Sequence, residues 1–171
     1  MKLSSTVEWA IHCCTFLAGL PEGRCLTGSD LAEFHGIPRP YLAKTLQALS
    51  SNGILDTVSG PRGGYRLGKS PKKISLLDIV LSIEGGDSTF ECAEIRRQGP
   101  AAMKTASTYK HPCLIATAMW KAEKVWRDEL DKVKLSHLVE RVAVEVDSRQ
   151  LKKAKSWIEQ KLHMKKIKSK S

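Results

Sequence analysis

Residues 26–69, LTGSDLAEFHGIPRPYLAKTLQALSSNGILDTVSGPRGGYRLGK, hold the reading that decides the fold. They open with Thr27-x-x-Asp30, a capping box whose hydroxyl and carboxylate each satisfy an orphan amide of a helix start. A short helix follows, with Leu31, Ala32 and Phe34 apolar, and Gly36 is placed to end it. Pro38 and Pro40 make a tight turn and pre-set the first turn of a second helix. In that helix Leu42, Leu46 and Leu49 recur at helical spacing, and Asn52-Gly53 stops it. Next, Ile54 to Val58 reads as a strand, Gly60-Pro61-Arg62-Gly63-Gly64 as a hairpin turn, and Tyr65-Arg66-Leu67 as the return. Helix, turn, helix and a two-stranded wing make a winged helix-turn-helix, which lays its second helix in a DNA major groove. Charge agrees: residues 38–73 carry Arg39, Lys44, Arg62, Arg66, Lys69, Lys72 and Lys73 against a single acid, Asp56. The expected fold is mainly α with this small β-wing and a long dimerisation helix.

Outward from this unit, residues 3–20 read as a first helix with Val7, Ala10, Ile11, Cys14, Leu17 and Ala18 on one face. Beyond the wing, Ser75-Leu-Leu-Asp78 is a second capping box, opening a helix through Ile79, Val80 and Ile83 that stops at Gly85-Gly86. Residues 87–111, DSTFECAEIRRQGPAAMKTASTYKH, lack periodicity, and a loop that long is a functional or disordered segment. From Pro112 to about Lys134 a long helix carries Ile115, Met119, Ala122, Trp126 and Val133 in a stripe that Ala118, Val125 and Leu130 widen. Such a helix beside a small DNA-binding unit suits a dimer interface. Residues 147–162 form a terminal helix of no legible role. The expected division is therefore 1–86 for DNA binding, 87–111 for a loop, 112–146 for the dimer helix and a short following segment, and 147–171 for a helix and lysine-rich tail.

Composition narrows the classes. The 171 residues carry a net charge of +10, yet residues 152–171 alone hold eight lysines against Glu159, which is +7 of it. That leaves the body close to neutral, and the tail a source of non-specific phosphate attraction. No apolar run reaches the ~18 residues of a membrane span, and the start MKLSSTVEWA has no signal-peptide layout, so a cytoplasmic protein is expected. Five cysteines, Cys13, Cys14, Cys25, Cys92 and Cys113, are odd in number and widely spaced, which disfavours a disulfide framework. There is no CxxC pair. On residue type alone, Cys14 is a small core hydrophobe, and the Glu8/His12 pair at i, i+4 is a spacing that either faces water or holds a metal.

Several stretches then resemble one family. MKLS, IPRPYLAKTLQAL, GPRGGYRL, ISLLDIVLSIEG and the long helix after Pro112-Cys113 are similar to the IscR/NsrR/RsrR family of bacterial winged-helix regulators. The likeness runs through roughly residues 1–140, and VEWAIHCC, LAEFHGI, FECAEIRRQGP and PCLIATAMWKAEKVWR most resemble the RsrR type of redox sensor. It implies a homodimer on palindromic promoter DNA, with an iron–sulfur cluster in the loop before the dimer helix. Most cluster-bearing members use three cysteines there; this chain has Cys92 and Cys113 alone. The RsrR type implies instead a 2Fe–2S cluster on Cys92, Cys113, Glu8 and His35, the last two from the partner subunit. His111 and His12 are rival imidazoles, and Cys13 or Cys14 a rival thiol. Exchanging two thiolates for imidazole or carboxylate raises a cluster's potential and lets redox change couple to protonation. For DNA, the resemblance points to Arg39, Pro40, Tyr41 and Lys44 on the second helix and Arg62, Gly63 and Tyr65 in the wing. Many relatives have arginine before the wing's Gly-Pro, where this chain has Ser59; Arg62 is the nearest substitute.

Two other readings stay open. A cluster-free regulator could sense oxidants through a Cys92/Cys113 thiol switch. A metal enzyme on Glu8, His12 and His35 would also need a nucleophile–base arrangement, a phosphate loop or HExxH, and the sequence has none of them.

Overall fold

The computed structural model describes residues 3–60, 63–105 and 109–167, with side chains as far as Leu162. In chain order the helices are α1 (Ser5–Ala18), α2 (Gly28–His35), α3 (Arg39–Ser51), α4 (Leu76–Glu84), α5 (Leu114–Lys132), α6 (Leu135–Glu145) and α7 (Ser148–Ile167). Between α3 and α4 lie strands β1 (Leu55–Val58) and β2 (Gly64–Leu67). This is a mainly helical fold with a two-stranded antiparallel wing.

Local chemistry places these elements where the sequence predicts. Thr27 Oγ1 accepts from the Asp30 amide at 3.1 Å while the Thr27 amide donates to Asp30 Oδ2 at 2.9 Å. Ser75 and Asp78 repeat the box at 3.0 and 2.8 Å. Gly36 closes α2 in the left-handed region at φ 65°, which a β-carbon would disfavour. Pro38 is the N-cap of α3 and Pro40 sits in its first turn. In the wing Leu55 faces Leu67, Asp56 faces Arg66 and Thr57 faces Tyr65. The register holds because Leu26 and Tyr65 exchange backbone bonds of 3.1 and 2.7 Å, tying β2 to the chain just before α2.

One core serves this unit. Leu42, Thr45, Leu46 and Leu49 turn inward from α3. The leucines join one core with Ala10, Cys13, Cys14 and Leu17 of α1 and Ile79 of α4. Cys14 is a core residue as expected, and Cys13 joins it, also fully buried. Desolvation drives both thiols up, Cys13 to about 12 and Cys14 further, the latter helped by the neighbouring Cys13.

Residues 112–146 depart from expectation. The segment after the long helix is an 11-residue helix, α6, rather than a short connection. Tertiary pairing makes the break: Leu76 N–H donates to Val133 C=O at 2.9 Å, and Leu135 N–H to Ile74 C=O at 2.8 Å. Leu135 is then fully buried, and α6 packs on α1. The long helix ends at Lys132, within two residues of the expected end near Lys134; what the sequence did not show is the helix that follows. The terminal helix likewise extends past the expected residue 162, to Ile167. Among the described residues no helix is long and apolar enough to cross a membrane.

Candidate DNA-reading surface and thiol site

On α3 the inward leucines leave Arg39, Pro40, Tyr41 and Lys44 exposed in the first two turns, Tyr41 by 63%. No acid stands in that first turn. An exposed cationic and aromatic helix start is suited to phosphate and base edges. Of the wing residues, Arg62 lies outside the described residues. Gly63 is buried, and a β-carbon there would strike the Val58 carbonyl, so the turn itself needs the glycine. Gly64, at φ 150°, leaves no room against the Leu26 backbone either. Tyr65 is half-buried and packs on the core, with its ring beside Gly28.

The second site lies in the loop between α4 and α5. Cys113 is the N-cap of α5, its sulfur near the amides of Ala116 and Ile115 without forming a side-chain cap hydrogen bond. Those amides, then the Cys92 thiol and the charge of Arg96, hold the Cys113 thiol below its ordinary range. Cys92 and Cys113, 21 positions apart in sequence, are thus brought near each other. Both are free and half-buried.

Protein contacts alone brace this loop. Arg96 Nε and Nη2 fork onto Glu94 at 2.7 and 3.1 Å, and Nη2 reaches the His111 carbonyl at 2.6 Å. Tyr109 OH donates to the Arg96 carbonyl at 3.0 Å. From α5, Trp120 Nε1 donates to the Phe90 carbonyl, Glu123 accepts from Ser88 and Thr89, and Arg127 caps the carbonyls of Gly86 and Asp87. Sequence reasoning passed over Arg96, Trp120, Glu123 and Arg127. The signal was there: Trp120, Glu123 and Arg127 follow at i, i+3, i+7, a polar stripe beside the apolar one.

The remaining candidate ligands lie on the head. Glu8 and His12 are both exposed, one turn apart on α1. His35 ends α2 half-buried, with its Nε2 buried and unpartnered. Burial and then the neighbouring His12 hold its pKa below the ordinary value. The two imidazoles lie 5.9 Å apart between ring centroids. Within one chain, then, Cys92 is brought to Cys113 and His35 to His12. No three His, Cys, Asp or Glu among the described residues converge on one point. His111 has its carbonyl on Arg96 and its side chain exposed.

Residues 3–141 match the family Rrf2, described as iron-dependent transcriptional regulators. The chain belongs to that family. A relative from Aquifex aeolicus (strain VF5), named as an HTH-type transcriptional regulator, is 42% identical over 80 residues, 47% of this chain and 55% of its own. The chain thus spans about half the length of this curated relative. Among solved structures, T. potens IscR is similar at TM-score 0.62 and 20% identity, over 88% of this chain and 96% of its own. CymR, the global cysteine regulator of B. subtilis, is similar at TM-score 0.58 and 21% identity, over 82% and 97%. At these identities the likeness is one of fold. The Rrf2 match ends inside α6, so α7 lies outside it.

Proposed function

We propose that this Rrf2 regulator is a homodimer that binds promoter DNA through the start of α3 and the wing, with binding set by a site at Cys92 and Cys113. The chain then divides as 1–86 for reading DNA, 87–111 for the sensor loop, 112–146 for dimerisation and 147–171 for an appended helix. The observation that carries the sensor is the juxtaposition of the two thiols at the start of α5. In the preferred reading they are two ligands of a 2Fe–2S cluster. Two sulfurs from one protomer fit half of such a donor set, and carboxylate and imidazole from a second copy fit the rest. Glu8 supplies the carboxylate. For the imidazole, the exposure of His12 on the same face as Glu8 favours it over His35, whose Nε2 points into packed structure. A bound cluster would supply one-electron redox chemistry. The protein's part is to hold the thiols together and to link them, through α1 and α2, to the reading helix.

A cluster-free thiol switch is the second reading, and the lowered Cys113 pKa beside Cys92 favours it. Oxidation would remove two electrons and two protons to an added oxidant, such as a disulfide or peroxide, and join the sulfurs. Protein purified without oxygen separates the two. Roughly two irons and two sulfides per chain, with visible bands lost in Cys92→Ala or Cys113→Ala, fit the cluster. His12→Ala and His35→Ala then show which imidazole shifts those bands. Colourless protein that gains mobility on oxidation, in a manner abolished by either cysteine change, fits the switch. Colour undiminished in both cysteine variants would sink the site altogether.

A further inference from the structure

The loop that carries the two cysteines holds an uncommon backbone shape. Glu94, two residues after Cys92, stands in the left-handed region at φ 48°, the sole non-glycine residue with positive φ among the described residues. A β-carbon makes that shape costly, and it persists only where surrounding contacts over-determine it. Arg96 supplies those contacts. Its Nε and Nη2 fork onto the Glu94 carboxylate at 2.7 and 3.1 Å, and both side chains are half-buried. The same Nη2 donates to the His111 carbonyl at 2.6 Å, two residues before Cys113. The Arg96 carbonyl accepts from Tyr109 OH at 3.0 Å, and the guanidinium lies 5.4 Å from the centre of the Tyr109 ring. One side chain thus joins the Cys92 limb of the loop to the Cys113 limb, with its charge within reach of both sulfurs.

This is a different object from a surface ion pair, where two long side chains are ordered for one contact of little worth. A planar guanidinium presents several donors in a fixed fork, so it can fix a carboxylate and a carbonyl at once. Arg97, next in the chain, is looser, 3.5 Å from Glu94 and 56% exposed. We propose that Arg96 is the positioning residue of the thiol site: by locking the Glu94 turn to the His111 carbonyl, it fixes how closely Cys92 and Cys113 approach. This rests on the reading of those two thiols as the sensor. It serves a pair of cluster ligands and a pair of switching thiols alike, because either needs the sulfurs held in register.

Thiol–disulfide equilibrium reads that approach. Full-length protein, reduced and freed of metal by a chelator, would be equilibrated with mixtures of reduced and oxidised glutathione, quenched with acid and mapped by mass spectrometry. Oxidised glutathione takes the two electrons and two protons that Cys92 and Cys113 give up, leaving two reduced glutathiones and one protein S–S bond. The ratio of that bond to mixed disulfides measures the effective concentration of one thiol at the other. Arg96→Ala is expected to lower it about tenfold, since a loosened loop keeps the sulfurs in register for a smaller share of the time. Arg96→Lys keeps the charge without the fork and should recover little of the loss. Glu94→Ala should match Arg96→Ala, and the double variant should lose no more than either alone, as partners in one contact do. Arg97→Ala removes the same charge beside Glu94 and, as a looser contact, should change the ratio less than about twofold. The helical melting transition should stay at its wild-type temperature throughout; a fall in Arg96→Ala that accounts for the lost ratio would make Arg96 a structural residue and overturn its positioning role. A wild-type ratio in Arg96→Ala, full rescue by lysine or an equal loss in Arg97→Ala overturns it too. Wild-type protein that gives only mixed disulfides at Cys92 and Cys113 overturns the thiol-site reading, and the part of Arg96 with it.

Discussion

Helices α3 and α5 look alike as sequence, each with an apolar stripe at helical spacing, and the structure treats them in opposite ways. In its 13 residues α3 buries Leu42, Thr45, Leu46 and Leu49, leaving a polar face outward. In its 19 residues α5 buries Ala116 and leaves Leu114 at 84%, Ile115 at 65% and Val125 at 61% exposure. A stripe reports that a helix wants a partner and says nothing of whose chain supplies it. For α3 the partners are α1 and α4. For α5 an apolar face this bare marks an interaction surface, which the homodimer proposed above would cover.

Truncation breaks this comparison most directly. Leu46→Ala opens a cavity in a closed core and is expected to cost about 2–5 kcal/mol, whatever the protein concentration. Ile115→Ala in α5 should behave differently, with a cost that grows with protein concentration because it acts through association. Urea unfolding at two concentrations tens of fold apart reads both. If Ile115→Ala costs as much as Leu46→Ala in dilute protein, α5 is packed within its own chain and the contrast fails.

Charge insertion sharpens it. Ile115→Glu with Met119→Glu would place two carboxylates in an apolar seam, where an unpaired charge costs several kcal/mol. Sedimentation should show monomers, with the helical signal of the head retained. Monomers that have also lost the head's cooperative melting would mean that the head depends on α5.

The cysteines divide along the same line. Cys13, buried in the head, has its pKa pushed up to about 12, so the folded state keeps a proton that the unfolded state releases near 9. Native protein thus binds more protons over that window, and stability falls as pH rises from about 9 to 12, at roughly 1.4 kcal/mol per pH unit for this thiol. Cys13→Ala should flatten the decline after the shared effect of Cys14 is allowed for. Cys113 moves the other way, so in metal-free protein alkylation is expected to label it first, near neutral pH, while Cys13 stays unreactive until unfolding. Equal labelling rates would remove the distinction between a core thiol and a reactive one.

Much of the head was legible because its signals are local. Thr27 and Asp30, Ser75 and Asp78, Gly36, and Asn52 with Gly53 each act on backbone within four residues, and each appears where the sequence puts it. What stayed hidden depends on distant partners. Leu135 starts a second helix after the long one because Ile74 accepts its amide and its side chain is fully buried. Trp157 gains its role from Phe34 and Glu33, more than 120 positions away. The thiol site was half legible: Cys92 and Cys113 were named from the sequence, and the loop brings them near each other. Arg96, which bridges the two loop limbs, carries no motif. His35, named as a ligand through the resemblance alone, ends α2 with its Nε2 buried and unpartnered, near the exposed His12.

The smallest expected effect sits in the two capping boxes, which share a design and differ in burial. Thr27 is half-buried, so in Thr27→Ala water can reach the Asp30 amide, and the loss should be about 1 kcal/mol, typical of a removed N-cap. Ser75 is fully buried beside the α5–α6 break. In Ser75→Ala the freed Asp78 amide has less access to solvent, so the penalty of an unsatisfied donor adds to that of the cap and takes the cost toward about 2 kcal/mol. Equilibrium unfolding of both variants at one concentration measures the gap. Should Thr27→Ala prove the costlier, α2 is held more by its own cap than by packing. Lys161 would then approach a helix start, at Asp30, that its own contact does little to stabilise.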